Sequence, residues 1–251
     1  MKHYSSICLL AKDENEYINE WLEWHIGKLQ FDHVYIYDNN SAIPLISSID
    51  KKYKDYITIR NWTNEDYSRI MQVECYEHFI RNYGHENYWT AFIDADEFVR
   101  TIDDKIINDF LTEYENYNGI FIKWLIYNAD GQYKKTDGLV RDRFKTYMNY
   151  ENDLHNGKCI IKPNEFRSMD AHYPKRCITK YNVIYSNKQP CKPPNTNIPT
   201  DKIVIDHYFT KSYEEWNNKL NRGSCNILYR DLLDFFMYNK DMQPDEYDNN
   251  K

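Results

Sequence analysis

The chain has 251 residues, which is enough to bury one sizeable core, and single α/β domains of this length are common. Hydrophobic residues make up 41% and charged residues 28%, a globular composition that excludes a disordered chain despite the net charge of −7. The negative charge and the absence of a Lys/Arg-rich stripe exclude a nucleic-acid partner, because binding to a phosphate backbone needs a positive surface.

No run of about 18 apolar residues occurs in the sequence, so we expect no transmembrane segment. The apolar stretch at residues 7–11 is too short for the hydrophobic region of a signal peptide. A cytoplasmic location is therefore expected.

The first half of the chain begins with a short continuous apolar run, residues 7–11, typical of a strand buried on both faces of a parallel sheet. Asp13, with Glu16 three residues later, predicts a helix that begins at a capping box. One face of that helix carries Ile18, Trp21, Leu22, His25, Ile26 and Leu29. A second strand over residues 33–37 ends in the turn-forming residues 38–41.

A third strand over residues 56–62, a helix over 66–83 ended by Gly84, and a fourth strand over 88–93 follow. This order predicts an α/β fold, a Rossmann-like, mainly parallel central sheet with helices on both faces. Ligands bind such sheets beyond the carboxyl ends of the strands, so three polar segments should converge on one crevice. They are Lys12-Asp13-Glu14, Asp38-Asn39-Asn40 and Asp94-Ala95-Asp96.

The second half begins with a helix over residues 105–117 and a strand over 119–127. Six of the eight prolines lie between positions 163 and 199, which predicts mostly loop there. Order returns with a strand over 203–205 and a helix that begins at a capping box of Ser212 and Glu215 and ends near Gly223. A final amphipathic helix carries Ile227, Leu228, Leu232, Phe235 and Phe236.

Two carboxylates one residue apart, Asp94 and Asp96, directly follow the fourth strand. The two-residue period of a strand would project both to the same side, where they could chelate one divalent cation. Carboxylate oxygens suit Mg²⁺ or Mn²⁺, and such a cation acts as a Lewis acid on a diphosphate leaving group. A pair of this kind is also common as solvated surface acid, so the motif alone leaves both interpretations open.

A second polar segment follows the strand over residues 203–205. His207 at the strand end, with Lys211 and a capped helix start behind it, can supply a third metal ligand and donors for an anion. Taken singly, His207 is typical of a structural histidine, and Lys211, Lys219 and Arg222 of a solvated helix face. The combination favours an anion site with a metal.

These segments together resemble the GT-A fold glycosyltransferases that include family 92 and related bacterial and viral family 2-like proteins. The residues that carry the resemblance are Leu10 to Glu14 with Glu20, Trp21 and His25; Val34 to Ser41; Gln72; Phe92 to Phe98; and His207 to Ser212 with Lys219, Arg222 and Gly223. The resemblance implies one GT-A domain over residues 1–251. Residues 1–130 would bind the nucleotide-sugar, 131–240 would form a loop-rich acceptor half, and 241–251 a flexible tail.

The resemblance also implies roles for single residues. Asp96 would bind Mn²⁺ or Mg²⁺ directly, Asp94 would bind the ribose or the metal through water, and His207 would complete the metal site. Lys211 and Lys219 would neutralise the diphosphate. The nucleotide-sugar site as a whole would comprise Ala11, Lys12, Asp13, Glu14, Asp38, Asn40, Gln72, Asp94, Ala95, Lys211 and Lys219. Glu20 and His25 lie on a helix packed against the sheet, and we interpret both as structural.

The implied reaction is transfer of a sugar, from a UDP-sugar as the first choice of donor, to a glycan or other hydroxyl acceptor with inversion. A single displacement needs a general base for the acceptor hydroxyl. Asp130 and Asp170 are the two candidates, although each also fits a solvated acid.

Two other functions fit part of the pattern. Metal-dependent nucleotidyltransferases also place two carboxylates one residue apart at a strand end, but they need a Gly-Ser element about ten residues earlier, and here Gly84 is followed by His85. A carbohydrate-binding protein without activity on a transferase fold is the other alternative. Retention of Asp94, Asp96, His207 and Lys211 argues against it.

Overall fold

The computed structural model of the protein describes residues 1–63, 71–148, 157–191, 197–223 and 231–242. Over these ranges the strands are β1 (His3–Ala11), β2 (His33–Asp38), β3 (Ile57–Asn61), β4 (Asn87–Phe92), β5 (Glu97–Thr101), β6 (Gly119–Tyr127), β7 (Tyr147–Met148), β8 (Gly157–Ile161), β9 (Phe166–Met169), β10 (Pro174–Cys177), β11 (Val183–Tyr185) and β12 (Ile203–His207).

The helices in the same ranges are α1 (Ile18–Leu22), α2 (Met71–Tyr83), α3 (Ile107–Thr112), α4 (Val140–Arg143), α5 (Tyr213–Asn221) and α6 (Leu232–Tyr238). Helix α1 continues as a π-helical segment over Glu23–Lys28. Short 3-10 helices lie at Leu45–Ser47, Lys51–Tyr56, Gly84–Glu86 and Pro163–Glu165.

A ten-stranded sheet in the order β3-β2-β1-β4-β8-β6-β12-β5 forms the centre of the fold, with β7 and β11 paired to β6. Strands β1 to β4 are mutually parallel, and β6 is parallel to β12 and β11. Strand β8 runs antiparallel between β4 and β6, and β5 is an antiparallel edge on β12. The predicted mainly parallel sheet is confirmed, and β9 and β10 form a separate antiparallel pair.

Alternate residues of β1 enter two different cores. Ile7 and Leu9 pack in the cluster that contains the α1 residues, whereas Cys8 and Leu10 pack in the cluster that contains the α2 residues. Both faces of the strand are therefore buried, which is why its sequence is a continuous apolar run. The prediction of helices on both faces of the sheet is confirmed.

The predicted apolar face of the first helix is confirmed, since all six of its residues are buried. The predicted cap is wrong. Helix α1 begins at Ile18 after Tyr17, without a side-chain cap. Asp13 has a positive φ of 53° and its carboxylate instead accepts the backbone N–H of Ala42 at 2.7 Å. The backbone turns sharply after β1, so Asp13 faces the loop after β2 and not the helix.

The second half contains more strand than the prolines predict, because β9, β10 and β11 lie between positions 163 and 199. Proline is tolerated there, since Pro174 is the first residue of β10. Strands β5 and β8 were not predicted, and the helix predicted over residues 105–117 is shorter in the structure, where it is α3. The first residues of the predicted helix over 66–83, as well as Ile227, Leu228 and the tail after residue 242, lie outside the described residues.

Among the described residues, no helix is both long enough and apolar enough to cross a membrane. The cytoplasmic location and the division of the chain into two halves stay predictions.

Candidate metal and donor site

The ends of β1 and β2 meet at one edge of the sheet. The backbone N–H of Asn39 donates to the carbonyl of Ala11 at 2.8 Å, and the backbone N–H of Asp13 donates to Ser41 Oγ at 2.8 Å. Strands β4, β6 and β12 run in the same direction, so Asp94, Asp96 and His207 lie at this same edge.

The carboxyl groups at positions 94, 96 and 97 follow β4 and are called the acidic segment below. Helix α5 connects the end of β1 to this segment. Its capping residue Arg222 donates from Nη1 to the Lys12 carbonyl at 2.7 Å and from Nη2 to Glu14 Oε1 at 2.6 Å. Lys12 Nζ donates back to the Arg222 carbonyl at 3.0 Å. About one turn earlier, Lys219 Nζ donates to Asp96 Oδ2 at 2.6 Å. Two of the three predicted polar segments, at positions 12–14 and 94–96, are thus linked through one helix.

The capping box of α5 is present as predicted, with the Ser212 side chain accepting the N–H of Glu215 and the Glu215 side chain accepting that of Ser212. This cap fixes where the helix begins and hence where Lys219 lies.

Asp96 is a buried carboxylate with a basic partner at each oxygen. Its Oδ1 lies 3.4 Å from His207 Nε2, and its Oδ2 lies 2.6 Å from Lys219 Nζ. Burial alone would raise the pKa of the Asp96 carboxyl, but the charge of Lys219 and the contact with His207 hold that pKa well below its usual range. Asp96 is therefore ionised at neutral pH and able to bind a cation.

Glu97 and His207 complete a compact group with Asp96. One ligand atom from each of the three buried side chains lies within 4.8 Å of the others. Within the described part of the chain, His207 Nδ1 and Glu97 Oε1 are buried without a hydrogen-bond partner. Two carboxylates and one imidazole form a donor set that suits Mn²⁺ or Mg²⁺, so these residues could hold a divalent cation.

Burial also acts on the other two members of this group. It lowers the pKa of the His207 imidazole, which packs against Trp124 with ring centroids 4.6 Å apart, so the ring is neutral as metal ligation requires. It raises the pKa of the Glu97 carboxyl well above its usual range, although Lys158 opposes the shift. Glu97 would have to lose a proton to join a metal site.

Asp94 has different surroundings from Asp96. Its Oδ1 accepts Gln72 Nε2 at 2.6 Å, and its Oδ2 lies 3.0 Å from Lys158 Nζ. Strand alternation does not set the directions of the two aspartates, because β4 ends at Phe92 and the backbone then turns, with the Glu97 N–H donating to the Asp94 carbonyl at 3.1 Å. Ala95 is buried within that turn.

Sequence reasoning missed Lys158, the second residue of β8. Its side chain is 1% exposed, and its Nζ also donates to the Ala171 carbonyl at 3.1 Å. A single lysine in a short apolar strand carries no pattern that distinguishes it from a solvated one, so the sequence offers no signal for it.

The residues expected to contact the nucleoside lie in the loops after β1 and β2. Both carboxylate oxygens of Asp38 accept backbone N–H groups of its own loop, from Ser41 at 3.1 Å and Leu45 at 2.9 Å. Asn40 is exposed and has a positive φ of 51°. The Asp38 carboxylate therefore shapes the loop that presents Asn40.

Lys211 packs against the segment that follows β1. Its Nζ is 3.9 Å from Glu14 Oε2 and 3.6 Å from the centroid of the Tyr17 ring. With Lys12, Lys219 and Arg222, it brings four basic side chains to the edge of the sheet that also carries Glu14 and Asp96.

The two candidate general bases differ in their contacts. The Asp130 carboxylate accepts the backbone N–H groups of Lys145 and Thr146, which stabilises a loop. Asp170 is paired with Lys175, and the adjacent Ala171 carbonyl accepts Lys158 Nζ, the ammonium that also contacts Asp94. Only Asp170 is connected to the acidic segment by these contacts.

Glu20 and His25 make contacts that agree with their structural interpretation. Glu20 accepts the backbone N–H groups of Val140 and Arg141 at 2.8 and 3.1 Å. His25, fully buried, contacts the Trp21 carbonyl through Nδ1 and accepts the Val99 N–H through Nε2.

The fold and this edge define a class of protein, an α/β enzyme with a polar, cation-compatible site at the carboxyl ends of a mainly parallel sheet. Residues 3–231 match the model of glycosyltransferase family 92. The chain belongs to this family and is a glycosyltransferase, which agrees with the resemblance found in the sequence.

Two solved structures are similar to this chain at low identity. One is the 4-diphosphocytidyl-2C-methyl-D-erythritol synthase of Anaerococcus prevotii, at 10% identity and a TM-score of 0.39, covering 73% of this chain and 87% of that one. The other is described as a glucose-1-phosphate thymidylyltransferase of Bacillus anthracis, at 11% identity and a TM-score of 0.32, covering 71% of each chain. Neither bears on the activity of this chain. No match was found among the curated proteins.

Proposed function

We propose that this glycosyltransferase moves a sugar from a UDP-sugar to a hydroxyl of a glycan or another acceptor, with inversion, and that it depends on Mn²⁺ or Mg²⁺. The observation that carries the metal dependence is the buried group of Asp96, Glu97 and His207, whose ligand atoms lie within 4.8 Å of one another.

Asp96 and His207 would hold the cation, because the first is ionised and the second neutral. When bound, the cation would act as a Lewis acid and would stabilise the negative charge of the departing diphosphate. Lys211 and Lys219, which pair with Glu14 and Asp96 in this structure, would add positive charge beside the same leaving group.

The rest of the donor would lie along the ends of β1 and β2. Lys12, Asp13 and Glu14 would border the base and ribose. Asn40 would hydrogen-bond the base or ribose from the loop that Asp38 stabilises. Asp94, fixed by Gln72 and Lys158, would accept a hydrogen bond from a sugar or ribose hydroxyl. Residues 1–130 would then form the donor half and 131–240 the acceptor half of one domain.

Asp170 is the better candidate for the general base, since Ala171 next to it contacts Lys158 beside Asp94. An Asp170→Asn variant should transfer sugar at least about 100-fold more slowly than wild type, because a general base typically contributes that much. Asp130→Asn is the matched control and should keep most of its turnover. Equal and small losses in the two variants would rule out Asp170.

An assay of the purified chain with UDP- and GDP-sugars tests the proposed function. Release of nucleoside diphosphate, by transfer or by slow donor hydrolysis, should occur with UDP-sugars in Mn²⁺ and stop in excess EDTA. The linkage formed should have the anomeric configuration opposite to that of the donor, as read by NMR. Turnover that is unaffected by EDTA, or a product with the configuration of the donor, would contradict the proposal.

A further inference from the structure

Lys158 carries a buried charge whose contacts extend beyond Asp94. Its 1% exposure would be costly for a lone ammonium, because a buried charge needs partners. Three oxygens surround its Nζ: Asp94 Oδ2 at 3.0 Å, the Ala171 carbonyl at 3.1 Å and Glu97 Oε1 at 4.0 Å.

The acidic segment carries three carboxyl groups within four residues, at positions 94, 96 and 97. Lys219 pairs with Asp96, whereas Lys158 pairs with Asp94 and lies within 4.0 Å of Glu97. The two lysines thus divide the acidic segment between them, and each reaches it from a different element, α5 and β8.

Strand β8 fixes the position of Lys158 closely. It lies between β4 and β6 in the sheet. A Cβ at Gly157 would be 1.9 Å from the Ile122 carbonyl oxygen, so β8 approaches β6 closely at the residue before Lys158. The ammonium also contacts both Asp94, in the proposed donor half, and the carbonyl of Ala171, which follows Asp170 in the proposed acceptor half. Lys158 would therefore connect the two halves through one charged group.

Both oxygens of Asp94 are engaged, one by Gln72 and one by Lys158. We propose that Lys158 is a positioning residue that holds Asp94 for the donor and keeps it from binding the metal, while its charge limits the affinity of the acidic segment for a cation. This inference rests on the proposed metal-dependent function.

The inference predicts a result that a merely structural lysine would not give. In Lys158→Met the negative charge of the acidic segment is no longer balanced, so Mn²⁺ should bind about threefold or more tightly than to wild type. A residue that only supported the fold would loosen the site when removed and weaken Mn²⁺ binding. Transfer should nevertheless slow by about tenfold or more, because Asp94 is no longer held in place.

Calorimetric titration with MnCl₂ and no nucleotide measures the first effect, and kcat with a UDP-sugar the second. Lys162→Met is the matched control, since Lys162 directly follows β8 but contacts the Tyr88 ring and the Glu115 carbonyl. It should leave both quantities unchanged. If Lys158→Met does not fold, Asp94→Asn is compared with the double variant Asp94→Asn/Lys158→Met, in which both charges are removed. The double variant should bind Mn²⁺ more tightly than Asp94→Asn, by a smaller factor than that expected between Lys158→Met and wild type.

Unchanged or weaker Mn²⁺ binding in the Lys158 variants, with clear binding by wild type, would overturn the inference alone. Absence of Mn²⁺ binding by wild type would overturn the metal-dependent function, and the inference with it. Tighter Mn²⁺ binding together with slower transfer would support both.

Discussion

Two aspartates separated by one residue have different surroundings in this protein. Asp96 is paired with Lys219 and lies beside His207, whereas Asp94 is held by Gln72 and Lys158. The difference arises from the turn after β4, which directs the two side chains to separate neighbours.

This difference predicts a split between the two asparagine variants. Asp96→Asn should weaken Mn²⁺ binding by about 100-fold or more, since even residues that only orient a metal ligand contribute about 10 to 100-fold to metal affinity. Asp94→Asn should change the Mn²⁺ affinity by less than about tenfold, while sugar transfer slows. Titration with MnCl₂ measures both, with Asp103→Asn, in a surface ion pair with Lys105, as control. Similar losses of Mn²⁺ affinity at positions 94 and 96 would contradict this assignment.

The buried His25 gives a prediction about pH and stability. Burial lowers its pKa from 6.5 to about 3, so the folded protein keeps the ring neutral. As pH falls below 6.5, the unfolded chain takes up a proton that the folded one does not, and the free energy of unfolding falls until about pH 3. Stability contributed by the neutral ring is therefore present above pH 6.5 and lost in this window.

Urea unfolding at a series of pH values tests this prediction. Wild type should lose stability with falling pH more steeply than His25→Gln, by up to about 1.4 kcal/mol per pH unit. His85→Gln, at an exposed position, should follow wild type. Parallel curves for wild type and His25→Gln would show that His25 takes up its proton equally in both states.

At the scale of elements, β8 carries Lys158 and approaches β6 closely. Because a Cβ at Gly157 would meet the Ile122 carbonyl oxygen at 1.9 Å, and backbone atoms can shift little, Gly157→Ala should cost about 1–3 kcal/mol of stability. Gly27→Ala is a fair control, since the atoms nearest its new Cβ belong to the end of the Glu23 side chain and not to backbone. Urea unfolding that shows equal losses for the two would contradict the close approach of β8 to β6.

Elements whose pattern is local were predictable from the sequence. The apolar runs of β1, β4 and β6, the apolar face that begins at Ile18 and the capping box at Ser212 depend on neighbours in sequence. Strands β5 and β8 were not predictable, because each is short and is defined by antiparallel pairing with distant strands. Lys158 was missed together with β8, since its meaning comes only from the carboxylates that the fold brings to it.

At the scale of the whole molecule, charge is distributed unevenly. The chain has a net charge of −7, yet Lys12, Lys158, Lys211, Lys219 and Arg222 gather at one edge of the sheet around Glu14 and the acidic segment. Composition could not reveal this cluster of paired charges. Helix α5 brings it together by joining the ends of β1 and β4, a contact between positions about 200 residues apart in sequence.

Calorimetric titration of the wild-type chain with UDP, once in MnCl₂ and once in EDTA, tests the central claim most directly. If Asp96 and His207 hold a cation that binds the donor diphosphate, UDP should bind at least about tenfold more tightly in Mn²⁺ than in EDTA. Equal UDP affinity in the two solutions would contradict a metal-dependent site at this edge of the sheet.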